Sequence, residues 1–74
     1  MNLKFYNDEI RDTKVVFSDE KIQLRRSKCI NGGSVWMYDE DKKTWRQITP
    51  HYFNMCDAIK EYYSYVEKQY EEVI

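Results

Sequence analysis

The spacing of apolar residues changes once along this chain, at Pro50, the only proline in the sequence. Between residues 14 and 48, apolar side chains tend to alternate with polar ones in short runs, which is the two-residue repeat of β-strands. After Pro50 they recur every three or four residues up to Ile74, and no glycine or further proline interrupts them. The sequence therefore predicts an α+β fold, in which a sheet precedes one long C-terminal helix.

Short runs of β-branched and aromatic residues, separated by turn-forming residues, make up the predicted sheet. The runs are LKFY at 3–6, KVVFS at 14–18, KIQLRRS at 21–27, SVWMYD at 34–39 and TWRQI at 44–48, of which the first is the weakest. The Asn-Gly-Gly sequence at 31–33 is the strongest hairpin signal, because Asn and Gly tolerate the positive φ of a tight turn. We therefore expect an antiparallel meander of four to five strands, with the helix packed across one face.

The helix is predicted to run from Pro50 to about Val73, with Thr49 as its N-cap, because proline suits the first helical turn. At about 100° per residue, its apolar side chains form a single stripe that should be buried. The members of this stripe are Tyr52, Met55, Cys56, Ile59, Tyr62, Tyr63, Val66, Tyr70, Val73 and Ile74. Phe53 and Tyr65 point away from it and are predicted to be exposed.

A chain of 74 residues is expected to form one domain over residues 1–74, with the strands in 1–48 and the helix in 50–73. The N-terminal residues contain no apolar run, so we expect no membrane segment and a cytoplasmic location. Cys29 and Cys56 are too few for a disulfide framework, and no CxxC or Cys/His cluster suggests zinc. No metal and no cofactor are expected.

Catalysis is not expected from any residue pattern in the chain. His51 is the only histidine, and it lies five residues from Cys56, which is about 140° around a helix. A general base and its nucleophile must lie within hydrogen-bonding reach of each other, and this spacing keeps them apart. The sequence thus favours a protein that binds over an enzyme.

The run SVWMYD carries apolar side chains on both faces of its strand, which is unusual for a sheet with one helix. Strand alternation and a turn at residues 41–42 place Trp36, Tyr38 and Trp45 on one face. This face lies either under the helix or opposite to it, and a strongly coiled sheet could bury both faces. If the aromatic face is exposed, the three side chains are candidate partner contacts with Arg46 at their rim, and Phe53 or Tyr65 would add contacts from the helix.

The predicted helix is longer than the predicted sheet is wide, at roughly 36 Å against about 19 to 24 Å. Its last turns should therefore extend past the sheet, where Tyr70, Val73 and Ile74 continue the apolar stripe. These three side chains are candidate contacts of a homodimer, and a frayed C-terminus is the alternative.

Three basic residues lie in or next to the third run of the predicted sheet. Arg25, Arg26 and Lys28 are candidate phosphate contacts, but alternation directs Arg25 to one face and the other two to the opposite face. The net charge of −1 gives no separate support for a nucleic-acid partner.

The composition of this short chain, rich in Lys, Asn, Ile and Tyr, resembles that of small accessory proteins of bacteriophages and mobile elements, including anti-CRISPR inhibitors. That resemblance implies a small protein–protein interaction module that occludes a surface on a larger host protein. The first alternative is a single-stranded nucleic-acid-binding protein that stacks bases on the aromatic face. The second is a dimeric regulatory or toxin–antitoxin subunit that uses the helix.

Overall fold

A six-stranded antiparallel sheet and one helix make up the computed structural model, which describes residues 5–71. The strands are β1 (Phe5–Tyr6), β2 (Thr13–Asp19), β3 (Ile22–Ser27), β4 (Gly33–Asp39), β5 (Thr44–Gln47) and β6 (His51–Tyr52), and the helix is α1 (Met55–Glu71). The predicted α+β fold, with an antiparallel sheet and a single C-terminal helix, is confirmed. Within residues 5–71, no helix is both long enough and apolar enough to cross a membrane.

The strand order is β1-β6-β4-β3-β2, and β5 also pairs with β4. Strands β2 to β5 follow one another as hairpins, as a meander requires, whereas β1 pairs with β6 and lies at the edge opposite to β2. Residues 7–12 must therefore cross the sheet to join β1 to β2. They cross opposite the helix, since the backbone N–H of Ile10 donates to Gln47 Oε1 at 3.1 Å and Gln47 shares a face with Trp36.

The core lies between α1 and the face of the sheet that carries Val35 and Met37. Its fully buried members are Ile22, Leu24, Val35, Ala58 and Tyr62. Because neighbouring residues of a strand point to opposite faces, Trp36 and Tyr38 lie on the face away from the helix. The structure thus selects one of the two arrangements that the sequence left open.

The buried stripe of α1 is rotated from its predicted position. Tyr65 packs against the core, whereas Tyr63 and Tyr70 are each 52% exposed and Cys56 is exposed. The helix residues that are buried in the core are Ala58 and Tyr62. The prediction that Tyr63 and Tyr70 are buried and Tyr65 is exposed was therefore wrong, while that for Tyr62 is confirmed.

The helix begins at Met55 and not at Pro50, because tertiary contacts hold the residues after Pro50 in an extended conformation. His51 and Tyr52 pair with β1, and the Thr49 hydroxyl accepts a hydrogen bond from the Val35 N–H at 3.0 Å instead of capping a helix. The cap is Asn54, whose side-chain oxygen accepts from the Cys56 N–H at 2.9 Å. The predicted end at Val73 lies outside the described residues.

The predicted turn at 31–33 forms part of the loop between β3 and β4. Gly32 has a φ of 103°, and a Cβ there would lie 1.8 Å from the Tyr52 carbonyl oxygen. Glycine is therefore required for both its backbone conformation and its close approach to β6. This contact holds the loop against the chain that leads into α1.

Candidate interaction surfaces

The face of the sheet away from the helix carries a cluster of one arginine and two tryptophans, Arg25, Trp36 and Trp45, which we call the arginine–indole cluster. The Arg25 Cζ lies 4.4 Å from the ring centroid of Trp36 and 5.7 Å from that of Trp45. The strand register brings the three together. Arg25 on β3 lies diagonally across from Trp36 on β4, and Trp45 lies on β5, which pairs with β4. Both distances fall in the range of cation–π interactions.

Trp36 is the fixed centre of this cluster and has almost no accessible surface. It is 2% exposed, and its indole N–H donates to the Ser34 hydroxyl at 2.9 Å. The Arg25 guanidinium covers one part of the ring, and residues 7–12 cross the same face of the sheet. Trp36 therefore offers no ring surface to a partner, contrary to its interpretation as an exposed anchor.

The other predicted partner contacts do not form one surface. Tyr38 and Trp45 are half-buried neighbours with ring centroids 5.4 Å apart. Arg46 lies opposite Met37, on the helix side of the sheet, and binds Asp39, so it does not border the aromatic trio.

Phe53 and Tyr65 lie at two separate places, one before α1 and one within it. The Phe53 ring centroid is 5.6 Å from that of His51, just before α1 begins, and Tyr65 lies over the core with the Lys68 ammonium 5.4 Å from its ring centroid. Both side chains are half-buried.

The three predicted phosphate contacts are divided between two places, as strand alternation predicts. Arg25 belongs to the arginine–indole cluster, whereas Arg26 and Lys28 line a groove beside the start of α1. That groove also contains Cys29, whose thiol donates to the Asp12 carboxylate at 3.1 Å. The carboxylate adds a negative charge next to Lys28, so the groove is not uniformly basic.

Strand β2 and the adjacent side of α1 form an apolar region that holds five of the eight large apolar side chains exposed within residues 5–71. We call it the β2 flank, and its members are Val15, Val16, Phe17, Tyr63 and Tyr70. The three β2 side chains are 42–44% exposed and the two tyrosines are 52% exposed. Sequence reasoning did not find this region, because it depends on β2 being an edge strand, and strand order is not visible in the residue pattern.

Aromatic contacts join the two halves of the β2 flank. The rings of Phe17 and Tyr62 are stacked with centroids 6.0 Å apart, and Tyr62 is 5.4 Å from Tyr63. At the end of β2, the Tyr70 hydroxyl donates to the carboxylate of Asp19 at 3.0 and 3.1 Å. This hydrogen bond raises the pKa of Tyr70, and the charge of Asp19 adds to the effect. The exposed tyrosines are thus held beside the strand.

One side of β2 has no strand partner within residues 5–71, since β2 pairs only with β3 there. A β-bulge at Val16 shifts the register between Val15 and Phe17. As a result, Val15 lies on the face of Arg25, whereas Phe17 lies on the face of the helix. The edge therefore carries exposed apolar side chains on both faces of the sheet.

Val73 and Ile74, the other two predicted dimer contacts, lie outside the described residues. Tyr70 is described, and its hydroxyl is bound within the same chain to Asp19. Its exposed ring surface belongs to the β2 flank and not to a helix end that extends past the sheet.

His51 is fully buried and has a structural role. One ring nitrogen, Nε2, donates to the Asn31 carbonyl oxygen at 2.8 Å, and Nδ1 has no hydrogen-bond partner among the described residues. The imidazole thus ties β6 to the β3–β4 loop. In the same part of the chain, residues 5–71, no group of three or more His, Cys, Asp or Glu side chains is placed to hold a metal ion.

A scan of the chain against protein-family models found no match, and searches of curated proteins and of solved structures found none either. The fold and its surfaces define the chain as a small α+β domain with an apolar sheet edge.

Proposed function

We propose that the chain is a small protein-binding module that takes up a short extended segment of a larger protein along the β2 flank. The observation that carries this proposal is the coincidence of an edge strand with five large side chains that are 42–52% exposed. An edge strand offers unpaired backbone N–H and C=O groups to an incoming strand, and the flanking side chains supply apolar contacts.

The free energies of burial and association favour a partner that makes both apolar contacts and backbone hydrogen bonds with β2. Complete burial of a large apolar side chain is worth about 1.5 to 3 kcal/mol, so burying the exposed half of one gives roughly 1 kcal/mol. Burial of all five side chains of the β2 flank would contribute at most about 5 kcal/mol, and a segment that covers one half of β2 would gain less, whereas association costs about 4 to 15 kcal/mol in lost freedom of motion. Apolar contact alone is therefore barely sufficient, and backbone pairing with β2 supports the proposed mode.

The bulge at Val16 limits the length of the bound segment. A regular strand cannot pair continuously past a bulge, so the incoming chain would pair with one half of β2. The half from Phe17 to Asp19 lies beside the exposed tyrosines and offers the larger apolar contact. A bulge and a lysine at position 14 also oppose edge-to-edge pairing of two whole sheets, which favours a short segment of a different protein over a second copy.

A module of this size would act by covering the surface that it binds. Inhibition of a larger host protein by occlusion, as in phage-encoded inhibitors, is the effect that we propose. The nucleic-acid alternative receives less support, because base stacking requires an open ring and Trp36 is covered.

The experiment is affinity capture from the cells in which the chain is naturally made, with three immobilised proteins compared by quantitative mass spectrometry. These are the wild type, Phe17→Ala and Phe5→Ala. The two phenylalanines form a matched pair, since Phe17 is 44% exposed at one edge of the sheet and Phe5 is 45% exposed at the other. We expect at least one protein to be retained by the wild type and by Phe5→Ala, and to be lost from Phe17→Ala.

Retention of the same proteins by both variants would contradict the proposal. Retention that disappears after nuclease treatment would favour the nucleic-acid alternative, since a bound nucleic acid would then be the link. A partner lost only from Phe5→Ala would place the binding surface at the β1 edge and would also overturn the proposal.

A further inference from the structure

We propose that the arginine–indole cluster is a carboxylate-binding site, in which Arg25 receives an aspartate, glutamate or C-terminal carboxylate presented by a polypeptide. The inference rests on the proposed protein-binding function for the source of its ligand, but a different face of the sheet carries it. The β2 flank supplies apolar and backbone contact, whereas this cluster would supply one charged contact.

Arg25 is held in a defined orientation by its neighbours. Its Nε–H donates to Gln23 Oε1 at 3.0 Å, and its Cζ lies 4.4 Å from the ring centroid of Trp36 and 5.7 Å from that of Trp45. Trp36 is in turn fixed by its hydrogen bond to Ser34, and Trp45 by its edge contact with Tyr38. The side chain is therefore ordered before a ligand binds, which lowers the entropic cost of binding.

The hydrogen-bonding capacity of Arg25 is mostly unused. A guanidinium has five N–H donors, and within residues 5–71 only the Nε–H has a protein acceptor. No carboxylate in this part of the chain lies within 4.0 Å of the guanidinium. Partial burial lowers the pKa of Arg25, although a guanidinium stays charged at neutral pH. The cluster thus holds a partly desolvated cation that has no anionic partner among the described residues.

The geometry of a carboxylate matches these unused donors. The two Nη groups of a guanidinium present parallel N–H bonds at the spacing of two carboxylate oxygens. A single-stranded nucleic acid would also need an open ring for base stacking, and Trp36 is covered. A single carboxylate has no such requirement.

The test is an NMR titration that follows the Arg25 Nε–H and Trp36 indole N–H resonances at neutral pH. The probes are Ac-Gly-Glu-Gly-NH2 and Ac-Gly-Gly-Gly with a free carboxyl group, which separate side-chain from terminal carboxylates. The uncharged control is Ac-Gly-Gln-Gly-NH2, and a short oligothymidine tests the phosphate source. We expect saturable shifts with at least one carboxylate peptide and none with the glutamine peptide.

The neighbouring arginine provides a matched control variant. Arg26 lies on the same strand but on the opposite face, so Arg26→Gln removes the same charge outside the cluster. We expect Arg25→Gln to weaken carboxylate binding about tenfold or more and Arg26→Gln to change it less than twofold. If Arg25→Gln unfolds the protein, Arg25→Lys decides the question, because it keeps the charge and the apolar stem but loses the planar fork.

Equal weakening by Arg25→Gln and Arg26→Gln would overturn the inference, as would shifts with the glutamine peptide or tighter binding of the oligothymidine. Binding that survives in Arg25→Lys would also contradict it. Phe17→Ala separates this proposal from the previous one, since it should leave carboxylate binding unchanged. The carboxylate site can therefore fail while the β2 flank stands, and the reverse also holds.

Discussion

At the scale of single residues, the thiol of Cys29 lies beside a carboxylate that controls its reactivity. The Cys29 thiol donates to Asp12 Oδ2 at 3.1 Å, and this hydrogen bond raises the pKa of Cys29. The negative charge of Asp12 acts in the same direction, and Lys28 opposes it only in part. Because the thiolate is the reactive form, Cys29 should react slowly at neutral pH although it is exposed.

We predict that Asp12→Asn makes Cys29 react faster with iodoacetamide at neutral pH. An amide removes the charge that stabilises the protonated thiol, so the pKa falls and the thiolate fraction rises. Mass spectrometry of the alkylated peptides measures the rate, and Cys56 in the same sample serves as the internal reference. An unchanged ratio of Cys29 to Cys56 labelling would show that Asp12 does not control this thiol.

The residues of the aromatic face were predicted in part from the sequence. Alternation along the strands correctly placed Trp36, Tyr38 and Trp45 on one face and separated Arg25 from Arg26. The sequence left the burial of Trp36 open, because it depends on Arg25 lying over the ring and on residues 7–12 crossing the same face. Both contacts join parts of the chain that are distant in sequence.

At the scale of secondary-structure elements, the start of α1 differs from its prediction because strand pairing overrides the local helix-start sequence. Thr49 and Pro50 form a typical helix start, yet Thr49 is bound to β4 and the next residues form β6. The pairing of β6 with β1 involves residues that are more than forty positions apart in the sequence. A local pattern carries no information on such a contact, so Asn54 was not recognised as the cap.

We predict that Asn54→Ala lowers the free energy of unfolding by about 1 kcal/mol, within the usual range of 0.5 to 2 kcal/mol for a lost N-cap. The Asn54 side chain accepts the Cys56 N–H, and alanine leaves that donor without its partner. Urea denaturation followed by circular dichroism measures the change. Asn54→Asp is the matched control, because aspartate also caps helices and should retain most of the stability. Equal losses in both variants would contradict the cap.

The repeat of apolar residues does not determine which face of α1 is buried, because that face depends on how the helix packs against the sheet. The repeat correctly indicated an amphipathic helix, but it does not distinguish the apolar residues that are buried from those that stay exposed. Ala58 and Tyr62 are the buried residues of the helix, Tyr65 packs against the same core, and Tyr63 and Tyr70 remain exposed.

At the scale of the whole molecule, both faces of the sheet are at least partly covered within residues 5–71. The helix covers one face, and the arginine–indole cluster with the connector crosses the other. Five of the eight large apolar side chains exposed within residues 5–71 belong to the β2 flank, where Phe17 stacks on Tyr62 and Tyr62 contacts the exposed Tyr63. We therefore propose the β2 flank as the binding surface of the protein.

Hydrogen exchange of the chain with and without its captured partner tests this claim most directly. We predict that the partner slows exchange of the backbone amides in residues 13–19, because an added strand occupies the open side of β2. Residues around Tyr63 and Tyr70 should be protected to a smaller extent, since their amides already bond within the helix. Protection confined to β5, β6 or the β1 edge, with β2 unchanged, would contradict the account.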